Sequence, residues 1–144
     1  MAFKFPLATV LRLRESIEKR EELTMQTIQL ELARLRQTID AVSNDIEQRA
    51  QKLQKRIERT VEASELQLDL AEIERSVEMR KTLLKEVEVA KNRHKEQSKV
   101  YRAAARARQT LTEMQSECRA AYEQKQERIQ QKFLDDIFVS RSRT

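Results

Sequence analysis

The chain offers chemistry one histidine, His94, and one cysteine, Cys118, among 144 residues. Either could serve as base or nucleophile, but only in a concave pocket where other polar groups converge. Neither has such company in the sequence. His94 falls at a core-type position of a helical pattern and reads as a tolerated polar core residue. Cys118 falls at another and reads as a small buried hydrophobe. No Cys/His group has zinc spacing, and a chain with no glycine has no phosphate-cradling loop. The expectation is a protein that is not an enzyme and holds no cofactor or metal. A lone cysteine also rules out an internal disulfide and suits a reducing cytoplasm.

The stretch KNRHKEQSKVYRAAARARQ is the other place where residue types suggest chemistry. Lys91, Arg93, Lys95, Lys99, Arg102, Arg106 and Arg108 face only Glu96 in sequence, and a basic helix can lie along phosphates. A basic-zipper protein, however, sets such a segment before its best heptads, whereas here the best heptads come earlier. The net charge of +5 comes from 29 basic and 24 acidic residues, thoroughly mixed. The stretch reads as a solvated basic face, and direct nucleic-acid binding is not expected.

These residues must sit on long helices. Charged residues make up 37% of the chain and apolar ones 39%, with one proline and no tryptophan. High charge with few aromatics also suits disorder, but the apolar residues here are regularly spaced. Pro6 fits a helix start, where its missing N–H would lack a partner anyway. From Met25 the seam runs Ile28, Leu32, Leu35, Ile39, Val42 and Ile46, with Arg49 interrupting before Leu53. Alternating steps of three and four are the core positions of a coiled coil. A second seam runs Leu66, Leu70, Ile73, Val77, Leu84 and Val87, then turns polar through Lys91, His94, Ser98 and Tyr101. It recovers at Leu111, Met114 and Cys118 and ends with Ile129, Phe133 and Ile137 at steps of four.

Between the seams, Ser64-x-x-Gln67 and Asp69-x-x-Glu72 are two possible capping boxes. One continuous rod is the alternative, but two seams around a capping signal favour an all-α, long two-helix antiparallel coiled-coil hairpin. The expected organisation is a single coiled-coil domain over 1–144. Helix 1 covers about 6–62, the turn about 63–68 and helix 2 about 68–138, with a flexible tail over 139–144. A fold near residue 64 would set Ile46 beside the region of Leu84 and Ile28 beside that of Tyr101. It would leave residues after about 125 projecting past the first arm. No stretch approaches the 18 or so apolar residues of a membrane span.

All four phenylalanines lie near the ends: Phe3, Phe5, Phe133 and Phe138. A hairpin brings both ends together with Arg12, Arg14, Arg128, Lys132, Arg141 and Arg143. Large apolar groups beside arginines are typical interface anchors, and the rod would have an adhesive end. A staple that merely closes frayed helix ends is the plainer alternative.

The opening FKFPLATVLRLRESIEKREE and the closing YEQKQERIQQKFLDDIF resemble the two end signatures of the flagellar FliJ family. The resemblance covers the whole chain, in length and in its two-helix pattern. It implies a cytoplasmic component of the flagellar type III export apparatus, folded like the stalk subunit of rotary ATPases. The implied partners are the hexameric export ATPase, FliI, whose ring the terminal end enters and activates, the export gate protein FlhA, and export chaperones. It implies a place at the inner face of the cell membrane, reached only through the apparatus. The matching positions imply ATPase contact by Phe5, Leu7, Val10, Leu11, Leu13 and Arg14, with Lys132, Leu134, Asp135 and Asp136. Ile73, Val77 and Leu84 are candidates for gate contact, although plain hairpin packing explains them equally well. A generic coiled-coil adaptor or secretion chaperone without an ATPase partner is the alternative reading.

Overall fold

The computed structural model of the chain describes residues 2–59 and 62–143. Two helices pack against each other as an all-α hairpin, α1 over Ala8–Ile57 and α2 over Ala63–Ser142. There is no strand among the described residues.

Phe5, Pro6 and Leu7 start α1. The Ala8 N–H donates to the Phe5 carbonyl at 3.1 Å and the Leu11 N–H to the Leu7 carbonyl at 2.9 Å, so Pro6 sits inside a turn where no donor is required of it. At the other end, the Arg59 N–H donates to the Arg56 carbonyl at 3.0 Å, a tightened last turn. No described residue has positive φ, so α1 ends without a left-handed cap. Lys55 and Arg56 in the last turn of α1 and Glu65 in the first turn of α2 complement the helix dipoles.

The helix bounds differ from those expected. Ser64 and Asp69, expected to cap a later helix, lie inside α2, and Asp69 accepts from Arg56 at 2.6 Å instead. Positions 60 and 61, within the expected first helix, lie outside the described residues. Most of the expected tail is helical through Ser142. There the Ser140 and Ser142 hydroxyls donate to the Ile137 and Val139 carbonyls at 2.8 and 2.9 Å, satisfying acceptors that a helix end leaves open.

The chain divides into two compact units. One comprises Glu22–Lys99. In it the α1 positions Met25, Ile28, Leu32, Leu35, Ile39, Val42 and Ile46 are all buried or half-buried, as the spacing predicts. Leu32, Val87 and Ala90 form its core, with Leu35 and Ile39 packed against them. The Arg93 guanidinium meets Glu31 at 3.3 Å, and the Gln29 amide nitrogen lies 3.3 Å from Nε2 of His94. Ile28 therefore lies near His94, not near Tyr101, and Ile46 lies nearer Ser76 than Leu84. The register differs because α1 stops at Ile57, ahead of the expected turn.

The second seam also differs in phase. Leu66, Ile73 and Val87 face inward as expected, joined by Arg80, but the residue three later, more than the one four later, completes each pair. Asp69, Ser76, Leu83 and Ala90 are buried or half-buried, whereas Leu70 and Leu84 are exposed and Val77, like Ser76 beside it, is half-buried. The small Ala90 fits against Leu32, a place that Lys91 could not take without burying its charge.

The other unit comprises Met1–Glu21 and Val100–Thr144. Phe5 and Leu11 are its buried apolar residues, and Tyr101, Ala104, Arg108, Leu111 and Tyr122 are half-buried on α2. Its seam is thinner and more polar than that of the first unit.

Candidate functional site

The candidate site lies in the unit that holds both end segments. The sequence places ten contact residues there, and the structure sorts them by what they touch. Phe5 and Leu11 are 8% and 6% exposed, so both are spent on packing within the protein. The Phe3 ring lies 5.5 Å from that of Tyr122, tilted by 46°, which ties the residues before α1 to α2. Leu7, Val10 and Arg14 are exposed, and Leu13 is 59% exposed, leaving an apolar surface on the first turns of α1.

On α2 the last four turns have little cover. Ile129, Phe133, Leu134 and Phe138 are exposed, Phe133 by 65% and Phe138 by 73%, while Ile137 is half-buried. At about 100° per residue these five occupy one side of the helix, an arc about 180° wide. Lys132 and Asp136 lie about 160° round from Leu134, and Asp135 about 100° round. The helix thus separates Leu134 from the three charged residues grouped with it by sequence. Its end is amphipathic, with an apolar side that no other part of this unit buries.

The sequence list omits Ile129, Phe133 and Phe138 from the contact residues. For Ile129 and Phe133 the signal was the steps of four running beyond any counterpart on α1, and for Phe138 it was the gathering of phenylalanines near the ends. The expected meeting of all four phenylalanines is replaced by two arrangements. Phe3 and Phe5 pack, whereas Phe133 and Phe138 face solvent.

The electrostatics of this unit centre on an ion pair at core-type positions. Arg108 Nε donates to Glu18 at 2.7 Å and a terminal nitrogen to its other oxygen at 3.3 Å, a bidentate fork with both side chains partly buried. The hydrogen bond first, and the charge of Glu18 second, hold the Arg108 guanidinium above its ordinary range. This pair was invisible in sequence because it depends on the register. It also changes the meaning of the basic stretch. Arg108 is taken by Glu18, Arg93 by Glu31, Lys91 by Glu88 at 3.4 Å and Lys99 by Glu96 at 3.2 Å. Four of the seven basic residues named in that stretch are thus neutralised by the protein's own carboxylates.

In the other unit, Ile73 and Val77 are half-buried and Leu84 is 48% exposed. Ile73 belongs to the seam. Val77 and Leu84 stand one position off it, on the flank. Near the turn, Arg49 donates to Asp45 at 3.0 Å and to Glu72, and Arg56 to Asp69. The Asp45 hydrogen bond first, then the charges of Asp45 and Glu72, raise the Arg49 guanidinium. These opposed charges satisfy one another, and no group of three or more His, Cys, Asp or Glu suited to a metal ion occurs among the described residues. No helix among them is long and apolar enough to cross a membrane.

A family model described as flagellar FliJ protein matches residues 3–144. No curated protein and no solved structure matches the chain.

Proposed function

Because the chain belongs to the flagellar FliJ family, and so to the flagellar protein export apparatus, we propose that it acts as a non-enzymatic stalk. The unit holding both end segments enters the ring of the hexameric export ATPase and promotes ring assembly and hydrolysis. The hairpin also links that ATPase to the export gate protein, through Val77 and Leu84 on the flank beside Ile73, and to export chaperones. The chain then works in the cytoplasm, held peripherally at the inner face of the membrane by the apparatus. The observation that carries this reading is the uncovered apolar side of the last turns of α2, together with the exposed Leu7, Val10 and Leu13 on the first turns of α1. Exposed Leu and Phe at this density mark a surface that a partner covers.

A stalk of this kind acts by binding some ring states better than others, which shifts their populations. Two helices present different residues in different directions, so six equivalent subunits cannot all make the same contacts. Leu134 and Leu13 would supply apolar contact, and Lys132, Asp135, Asp136 and Arg14 the polar rim.

The test is ATP hydrolysis by the export ATPase, titrated with the full chain and with Leu13→Asp and Phe133→Asp variants. Both residues are exposed, so helicity should survive. Loss of stimulation with circular dichroism unchanged supports insertion of this unit. Stimulation equal to that of the unaltered chain removes it, and binding to an export substrate without any effect on hydrolysis promotes the adaptor reading.

A further inference from the structure

The first part of α2 carries two interleaved heptads, and the structure buries the less apolar one. Both share Leu66, Ile73, Arg80 and Val87. The inward-facing one is completed by the half-buried Asp69, Ser76 and Leu83; of the other's Leu70, Val77 and Leu84, Leu70 and Leu84 are exposed and Val77 is half-buried between the two seams. Leu70 is 44% exposed although Asp69 beside it is half-buried, the reverse of what apolar burial favours. Two observations explain the present choice. Asp69 and Glu72 are held by Arg56 and Arg49 from α1, and Ala90 is packed under Leu32.

We propose that α2 between residues 63 and 87 has two packing states, related by an axial rotation of about 50° that exchanges Asp69, Ser76 and Leu83 in the seam for Leu70, Val77 and Leu84. The shared positions stay at the seam in both states, so no sliding along the helix is involved, and because α2 is continuous the rotation is taken up as a change in its winding of about 2° per residue. The ion pairs that hold the observed state are partly exposed, and such pairs hold weakly and are screened by salt. Rotation gives them up and in return sets apolar Leu70 and Val77 in the places of Asp69 and Ser76, with Leu84 standing in for Leu83. It cannot propagate past Val87, because the next exchange would replace Ala90 with Lys91 in the apolar core. The rotation is a property of the hairpin alone and does not rest on the stalk reading.

The experiment measures thiol alkylation in the full chain with Cys118→Ser, carrying Leu83→Cys or Leu84→Cys. Each is compared with and without the double substitution Asp69→Ala and Glu72→Ala, with helicity matched by circular dichroism. With the acids present, the thiol at 84 reacts faster than the thiol at 83. Removing the acids should slow position 84 and speed position 83, each about threefold or more as the populations shift. Unchanged rates overturn the proposal. So do rates that move together at both positions, since local opening exposes both and tighter packing protects both.

Discussion

The unit of Glu22–Lys99 and the unit that carries both end segments are built from the same two helices but use their apolar residues differently. In the first, Leu32, Val87 and Ala90 gather in a core with Leu35 and Ile39 against it. In the second, Phe5 and Leu11 are buried, while Leu13, Phe133, Leu134 and Phe138 are left in solvent. A two-helix seam can cover only a narrow stripe from each helix, so apolar residues off that stripe contribute nothing to folding. Where they accumulate, as on the last turns of α2, they are available to the partner surface proposed above.

The comparison can be broken most forcefully at Leu32. Leu32→Ala should cost about 2 kcal/mol in urea unfolding, because the neighbouring Ala90 has no bulk with which to fill the space. Phe5→Ala should cost less, about 1 to 2 kcal/mol, since Phe5 precedes α1 and the short segment that carries it can close part of the space left behind. An equal loss at Phe133, which is exposed, would show that the two units do not differ as described. Phe133→Ala is expected to stay within about 0.5 kcal/mol.

A smaller effect sharpens the electrostatic side. Glu18→Gln removes the partner of Arg108 and should lower the melting temperature measurably at low salt and hardly at all in molar salt. The pH dependence has a definite sign. A guanidinium raised in the folded state stabilises at all pH values below its unfolded range, and that contribution is lost only as pH rises through the folded value. Deprotonation of Arg49 and Arg108 should therefore leave stability flat through the neutral range and lower it only in strongly alkaline solution. The smallest effect is expected at Leu30, far from the seam and exposed, where Leu30→Ala should change stability by less than about 0.5 kcal/mol.

The α1 seam from Met25 to Leu53 could be read directly, because every inward position but Arg49 is apolar and the outward ones are mostly polar. On α2 the same reading placed Leu66, Ile73 and Val87 correctly but preferred Leu70 and Leu84 to Asp69 and Leu83. Hydrophobicity alone cannot choose between two overlapping heptads, and here the choice depends on where α1 supplies arginines. The register was equally out of reach. With no glycine or proline to mark the turn, a displacement of a few residues moved every cross-helix pair, including Glu18 with Arg108. The exposed side of α2's end was legible both as a pattern and as a lack of cover, because a hairpin with unequal arms leaves residues after about 125 without a counterpart on α1.

The chain has two tyrosines, Tyr101 and Tyr122, and no tryptophan. Both belong to the unit with the end segments, and Tyr122 lies against Phe3. Near-ultraviolet emission from this protein is therefore a local gauge, silent about Leu32 and its neighbours. Comparing it with far-ultraviolet dichroism, which senses both helices throughout, would tell whether the two units melt as one cooperative body or in sequence.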